Sequence, residues 1–261
     1  MKKIAKFFLG KKFGQNLFRF LFLLSVKGMN FGGGSTWSES GEEWVIKYFA
    51  SLPSARNNQV IFFDVGANKG EYALVVNQIL QSNNISHKIF CFEPSKKTFE
   101  LLQKNISHEP SIHIFNMALG EAMDKLPLYS TKATSGLTSL YNRQGIEGME
   151  LEGETEVQTV DDFCKNKNIS AIDFLKLDVE GNEYKTLLGA RQMILDRKIK
   201  FIQFEFGGTD IDARVYFRDF FNLLAANYNI SRILKNGLYP IKQYKETDEI
   251  FITTNYLAVI K

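Results

Sequence analysis

Apolar runs of strand length alternate with helical patterns along most of this chain, and this alternation constrains the fold more than any other feature. Residues 59–66, "QVIFFDVG", form a continuous apolar run, as expected for a strand buried on both faces of a parallel sheet. Similar runs occupy 87–94, 111–120, 172–181 and 200–208, and most are separated by amphipathic segments. Strand–helix repetition of this kind predicts a doubly wound, mostly parallel α/β sheet with its ligands at the carboxyl ends of the strands.

The composition fits a folded domain and excludes several classes of protein. Of the 261 residues, 44% are hydrophobic and 13% aromatic, which is enough for a substantial core and excludes a disordered or fibrous chain. The formal net charge of +3 is mild and gives no strong case for nucleic acid as a partner. The two cysteines, Cys91 and Cys164, are too few for a disulfide framework, so we expect a cytoplasmic protein.

Acidic residues follow the predicted strands at the points where they end. Asp64, Glu93, Asp178 and Glu205 each lie at or just after such an end. Because these ends share one rim of a doubly wound sheet, we expect the carboxylates to meet in one crevice. Clustered like charges raise each other's pKa and are costly without a compensating cation or ligand, which favours a functional site over a structural one.

The glycines after the first strand indicate the kind of ligand. Gly66 and Gly70 allow a tight turn and the close approach of a ligand, and Gly70 opens a helix whose amide groups suit a carboxylate. Glu93 is placed to accept hydrogen bonds from ribose hydroxyls. The Gly-x-Gly-x-x-Gly pattern of dinucleotide binders is absent, and Asp64 would repel a pyrophosphate but suit a sulfonium or ammonium group. These residues predict a site for a nucleoside with a charged amino-acid tail.

Six blocks in order carry a resemblance to a known family: "DVGANKGEY", "CFEPSKKTFELLQKN", "FNMALGE", "TVDDFC", "FLKLDVEGNEYKTLLGA" and "FIQFEF". They resemble the FkbM family of class I S-adenosylmethionine-dependent methyltransferases over about residues 60–206, and the terminal "TNYLAVIK" is similar to that family as well. The resemblance implies a Rossmann-like sheet that ends in an antiparallel strand. It also implies O-methylation of a sugar, a glycan or another natural-product-like acceptor.

The resemblance also implies roles for individual residues. The methionine part of the cofactor would lie against four residues of the first loop, Asp64, Gly66, Asn68 and Gly70. Glu93 would hold the ribose, and Asn116 and Ala118 would lie beside the adenine. Asp178, Glu180 and Gly181 would face the methyl group and the acceptor. An alternative is that Glu180 caps the following helix and Asp178 only orients the ammonium group of the cofactor.

Two mechanisms remain open for activating the acceptor hydroxyl. Either Asp178 or Glu180 takes its proton during transfer. Alternatively, these two carboxylates hold a divalent ion together with Glu205, since oxygen ligands suit Mg²⁺ or Ca²⁺. The metal is the less favoured alternative because "DVEG" supplies only two nearby carboxylates.

The polar segment 129–160 lies between the third and fourth predicted strands and is long for a loop in a compact domain. Residues 134–143, "TSGLTSLYNR", are our candidate for an acceptor lid. In this lid we expect four residues to face the substrate, namely Ser135, Ser139, Tyr141 and Arg143. Residues 149–160, "MELEGETEVQTV", are predicted to form a surface hairpin.

The N-terminal segment differs from the rest of the chain. We predict a basic amphipathic extension over residues 1–34 and a methyltransferase domain over residues 35–261. Residues 1–30 contain no acidic residue, and their apolar run at 20–26 is far shorter than the roughly 20 residues a spanning helix requires. The extension either lies on the anionic inner face of a membrane or packs its apolar face on the domain. The same face could also be buried in a homodimer.

Three functions therefore compete. The first is an S-adenosylmethionine-dependent O-methyltransferase. The second is a nicotinamide-dependent oxidoreductase, which the glycine pattern and Asp64 disfavour. The third is a methyltransferase-like module that binds a cofactor or a partner without catalysis.

Overall fold

The computed structural model describes residues 9–32, 37–131, 138–143 and 146–261. Its strands, in chain order, are β1 (Val60–Val65), β2 (His87–Phe92), β3 (Ile112–Phe115), β4 (Ala118–Leu119), β5 (Asp124–Thr131), β6 (Thr138–Ser139), β7 (Met149–Gln158), β8 (Ile172–Leu177), β9 (Ile199–Phe206), β10 (Tyr228–Leu234), β11 (Gly237–Pro240) and β12 (Thr254–Ile260).

Eight strands form the main sheet, in the order β11-β10-β12-β9-β8-β1-β2-β3. The five strands from β9 to β3 are parallel to one another. Strands β12, β10 and β11 extend this sheet with antiparallel pairing. The predicted doubly wound, mostly parallel sheet with an antiparallel C-terminal strand is therefore confirmed.

Helices cover both faces of this sheet. They are α1 (Gln15–Gly28), α2 (Trp37–Ser40), α3 (Glu42–Ser51), α4 (Glu71–Ser82), α5 (Lys96–Asn105), α6 (Val160–Lys167), α7 (Glu183–Leu188), α8 (Arg191–Leu195), α9 (Thr209–Ala213) and α10 (Phe217–Leu224). Neighbouring residues of β1 enter different cores, since Phe62 packs with residues of α3 and α4 whereas Phe63 packs with residues of α6. Burial on both faces explains why the parallel strands are continuous apolar runs.

A second, smaller sheet was not predicted from the sequence. Its four strands have the order β4-β7-β5-β6, with β5 and β7 paired antiparallel. The predicted hairpin at 149–160 is wrong, because residues 149–158 form a single strand, β7, whose antiparallel partner is β5. The predicted third strand, 111–120, is wrong as a single strand, because only β3 stays in the main sheet and β4 joins the small one. Ser135 of the predicted lid lies outside the described residues.

Helix α1 projects from the rest of the structure. Of its residues only Val26 is buried, at 2% exposed. Of the alternatives for the extension, packing of its apolar face on the domain is contradicted for this helix, since its leucines and phenylalanines are mostly exposed. In the described part of the chain, no helix combines the length and the apolar character needed to cross a bilayer.

Candidate active site

Two loops meet tightly at the carboxyl ends of β1 and β8. Gly66 follows β1 directly and has a φ of +85°, and a Cβ added there would lie 1.8 Å from the carbonyl oxygen of Asp178. Gly70 has a φ of +83° and precedes α4, and its Cβ would lie 2.5 Å from Leu102 Cδ1. Backbone conformation favours glycine at both positions, and at Gly66 the backbone of Asp178 also leaves no space for a side chain. Gly70 opens the helix as predicted, but it packs under Leu102.

Glu93 joins the end of β2 to the loop after β1. It is 4% exposed, and its Oε2 and Oε1 accept hydrogen bonds from the N–H groups of Asn68 (3.0 Å) and Ser95 (2.9 Å). Burial raises the pKa of Glu93 from 4.5 to about 7, although these N–H groups lower it in part. The Asn116 side chain, just after β3, donates to the carbonyl oxygens of Glu93 and Pro94 at 2.9 and 3.1 Å. These hydrogen bonds fix the backbone that follows β2.

A cavity of about 220 Å³ opens at these strand ends. Its walls come from both sheets: Gly66, Asn68, Glu93, Pro94, Leu128, Thr138, Ser139, Leu140, Asp178, Val179, Glu180 and Asn182. Of the predicted cofactor residues, four line this cavity, namely Gly66, Asn68, Glu93 and Asp178. Gly70 and Asn116 are not among the lining residues, and Ala118 lies in β4, where it pairs with Val157. The small sheet thus forms one wall of the cavity.

Asp64 lies behind the cavity wall. It is fully buried, and its register partner on β8 is Lys176, whose Nζ is 3.5 Å from Asp64 Oδ1 and 3.1 Å from Asp178 Oδ2. The Lys176 ammonium also sits 4.5 Å from the centre of the Tyr72 ring. Burial raises the pKa of Asp64, and Lys176 opposes this rise. Asp64 therefore acts on the cavity through Lys176, which holds the Asp178 carboxylate in place.

Glu180 gathers three of the predicted substrate residues. Its carboxylate accepts a hydrogen bond from Arg143 at 2.6 Å, and its carbonyl oxygen accepts one from the Ser139 hydroxyl at 2.8 Å. The Ser139 hydroxyl in turn accepts from the N–H of Tyr141 at 3.1 Å. Burial, followed by the charge of Asp178, raises the pKa of Glu180 to about 7, while Arg143 lowers it.

Helix capping does not explain Glu180. The carboxylate that binds the loop N–H groups, those of Val179 and Gly181, belongs to Glu183, at 2.8 and 2.9 Å. Glu180 itself has a φ of +54°, a left-handed conformation that is strained for a residue with a side chain. Strain of this kind concentrates at functional sites.

Sequence reasoning missed a polar layer beneath the cavity. Gln203 of β9 is the register partner of Lys176, and its Nε2 donates to Glu42 Oε1 at 2.7 Å. Glu42, the first residue of α3, also accepts from the Ser40 hydroxyl at 2.9 Å, and burial raises its pKa. The sequence does contain a signal for Lys176, because a lysine within the apolar run of β8 indicates a buried charge that needs a partner. Glu42 had none, because an acid at a helix start is also ordinary capping.

Glu205 of β9 is partly buried near this layer. Its pKa is well above the ordinary value, first because of burial and then because of the charges of Asp178 and Glu180. Across the described ranges, no three His, Cys, Asp or Glu side chains are arranged so that they could hold a metal ion.

The part of the chain that matches a known protein family contains the whole cavity. Residues 64–230, more than half of the chain, match the family described as methyltransferase FkbM domain. The chain belongs to this family. The match runs from Asp64 at the end of β1 into β10, so it contains the cavity and both loops that carry its carboxylates.

Two curated relatives and one solved structure show how far the similarity extends. The 2-O-methyltransferase NoeI of Sinorhizobium fredii is 21% identical over 164 residues, which cover 58% of this chain and 65% of NoeI. The hexuronic acid methyltransferase AglP of Haloferax volcanii is 27% identical over 156 residues, which cover 57% of this chain and 56% of AglP. The chain thus spans somewhat more than half the length of each.

The crystal structure of methyltransferase FkbM from Methylobacillus flagellatus is 17% identical and has a TM-score of 0.48. The match covers 80% of this chain and 47% of that chain.

Proposed function

We propose that this FkbM domain transfers the methyl group of S-adenosylmethionine to a hydroxyl oxygen of a sugar-containing acceptor. The observation that carries the proposal is the cavity at the strand ends, in which buried Glu93 lies with Gly66, Asn68 and Asp178. Family membership supports methyl transfer, and the names of the two curated relatives support an oxygen of a sugar as its target. Neither relative favours an oxidoreductase.

The residues of the cavity fit this cofactor. The Glu93 carboxylate suits the two ribose hydroxyls, and the absence of a side chain at Gly66 lets a ligand approach the backbone. Asn68 Oδ1 is buried and lacks a hydrogen-bond partner among the described residues, so it is available to a donor such as an ammonium group. When bound, the cofactor supplies a methyl group on a positively charged sulfur, which is already a good leaving group.

Glu180 is our candidate for the proton acceptor. It lines the cavity, and a pKa of about 7 lets it take a proton at neutral pH. Asp178 lies beside it and is held by Lys176 at 3.1 Å, so we assign Asp178 to orienting the cofactor. The proton of the acceptor hydroxyl passes to a carboxylate oxygen of Glu180 as the oxygen–methyl bond forms.

Two polar groups near Glu180 support a polyhydroxylated acceptor. Arg143 Nε and the Tyr141 hydroxyl are both buried and have no hydrogen-bond partner within the described part of the chain. Unpartnered buried groups are costly, and a ligand that satisfies them gains affinity. A sugar hydroxyl can accept a hydrogen bond from Arg143 Nε, and it can donate to or accept from the Tyr141 hydroxyl. We propose that these two residues hold the sugar while Glu180 contacts the reacting hydroxyl.

Calorimetric titration with S-adenosylmethionine and an assay with labelled methyl test the proposal. Glu93→Ala should weaken cofactor binding by roughly ten- to a hundredfold. Glu180→Gln should keep cofactor binding but lower methyl transfer by about 10²- to 10⁴-fold. Asp173→Asn is the control for removal of a carboxylate, because Asp173 lies at the start of β8 whereas the cavity lies beyond the carboxyl end of that strand. No cofactor binding by the intact protein would overturn the proposal.

The pH profile separates a proton acceptor from a structural Glu180. With S-adenosylmethionine saturating at each pH, kcat/KM for the acceptor should fall as the pH drops below about 7 in the intact protein, and this limb should vanish in Glu180→Gln. Because Arg143 lowers the pKa of Glu180, Arg143→Gln should move the limb to higher pH. If Arg143→Gln leaves the pH of this limb unchanged, the limb belongs to a group other than Glu180.

A further inference from the structure

Helix α1 carries a row of large apolar side chains that nothing in the described structure covers. Leu17, Phe20, Leu21 and Leu24 follow the spacing of one helix face, and they are 53%, 61%, 43% and 57% exposed. Val26, nine residues after Leu17, lies on roughly the opposite side of the helix and is buried. The row therefore faces away from the domain.

The charge around this row has one sign. Residues 1–38 contain seven lysines and arginines and no aspartate or glutamate. Four of the basic residues belong to the described part of the extension, namely Lys11, Lys12, Arg19 and Lys27. A second copy of this helix would satisfy the apolar row but would bring like charges together. An anionic lipid surface offers both an apolar medium and opposite charge.

We propose that α1 binds in the plane of an anionic membrane surface, with the row from Leu17 to Leu24 in the acyl boundary and the basic residues at the headgroups. The described helix has 14 residues, which suits lying on a bilayer and not crossing it. The docking does not depend on the proposed methyl transfer, because it uses no residue of the cavity.

The end of the helix is held firmly by the domain. The Asn30 side chain donates to the carbonyl oxygen of Ile233 at 3.1 Å, and the Asn30 carbonyl oxygen accepts from the Thr254 hydroxyl at 2.9 Å. The N–H of Gly32 donates to the carbonyl oxygen of Thr253 at 2.7 Å. These bonds fix the chain just beyond α1 against two strands of the main sheet.

This attachment point adjoins the rim of the candidate active site. Thr253 packs on Gly207 so closely that a Cβ at Gly207 would lie 2.6 Å from Thr253 Cα. Gly207 follows β9, the strand that carries Glu205. A docked α1 therefore brings the carboxyl end of β9 close to the lipid surface, which would suit an acceptor attached to lipid if the proposed function holds.

Vesicle sedimentation with the full chain tests the docking. Binding is compared for vesicles of neutral phosphatidylcholine and for vesicles containing about 30% phosphatidylglycerol. The intact protein should bind the anionic vesicles at least tenfold more tightly, and added salt should weaken this binding. Leu17→Gln with Leu21→Gln should lower it by at least tenfold. Leu151→Gln with Leu195→Gln is the matched control, since these leucines are 63% and 58% exposed outside α1.

A second variant tests the charge. Lys12→Gln with Arg19→Gln should weaken anionic binding about fivefold for each charge removed. The proposal is overturned if the intact protein binds neither kind of vesicle, or if the leucine variant binds as tightly as the control. It is also overturned if neither protein binds vesicles and sedimentation velocity shows that the intact protein is a dimer whereas the leucine variant is a monomer. Cofactor titration of the same samples reports separately on the candidate active site.

Discussion

Glu93 couples the stability of the fold to its proposed role in binding. Burial raises its pKa from 4.5 to about 7, so the folded protein holds this proton more tightly than the unfolded chain does. Ionised Glu93 therefore destabilises the fold. This destabilisation is absent well below pH 4.5, grows as the pH rises towards about 7, and is constant above that value.

The magnitude follows from the two pKa values. A rise of about two and a half pKa units corresponds to about 3 kcal/mol of lost stability near pH 8.5, and to less than about 1 kcal/mol near pH 5. Glu93→Gln removes the charge at every pH. Glutamine offers only one acceptor oxygen to the N–H groups of Asn68 and Ser95, which costs about 1–3 kcal/mol independently of pH. Relative to the parent, the variant should therefore gain about 2–3 kcal/mol of stability between the two pH values.

Urea denaturation of both proteins at about pH 5 and about pH 8.5, without cofactor, measures this difference. Other titrating groups are common to both proteins and largely cancel. In the same variant, S-adenosylmethionine should bind at least about tenfold more weakly at the higher pH, because the ribose hydroxyls lose their ionised acceptor. A stability difference that does not change with pH would refute the reasoning, since it would mean that Glu93 has an ordinary pKa in the fold.

Two further substitutions test the packing behind the cavity. Lys176→Met should lower the free energy of unfolding by about 3–5 kcal/mol in a urea titration, because it leaves buried Asp64 without its cation; a loss below about 1 kcal/mol would contradict the pairing. Gly66→Ala should destabilise the protein by about 2 kcal/mol or more and should abolish cofactor binding, because its Cβ meets the Asp178 carbonyl oxygen. Unchanged thermal unfolding of this variant would show that the two loops are not packed as described.

Parallel strands buried on both faces were the most predictable part of the fold. In β1 a continuous apolar run has one simple explanation, and the residue at its end could be assigned to the ligand rim. The small sheet had no such signal. Strand β7, "MELEGETEVQ", places an acid at every second position, and of the residues that alternate with these acids only Thr155 and Val157 are buried. This alternation favours a strand but does not indicate its partner strand. Its pairing with β5 depends on contacts that the sequence pattern does not record.

The candidate site was predictable only where it lies at the strand ends. Glu93 and Asp178 follow strands, so topology alone brings them together. Glu42 and Gln203 are 161 residues apart, and their contact depends on how α3 packs over β9. Asp64 was expected to line the crevice, but its side chain is fully buried behind the cavity wall, and this direction was not predicted. That direction depends on Lys176, whose ammonium group offers a buried carboxylate a partner that the cavity does not.

The balance of charge around the cavity explains why a cationic ligand suits it. Five carboxyl groups, those of Glu42, Asp64, Asp178, Glu180 and Glu205, lie near two cations, Lys176 and Arg143. The sequence predicted raised pKa values from mutual repulsion, but burial is the larger cause at Asp64, Glu180 and Glu205. A sulfonium and an ammonium group would offset two of these negative charges, whereas the product keeps only the ammonium. The same carboxylates that favour binding of the cofactor would therefore hold the spent cofactor less tightly, which favours its release after transfer.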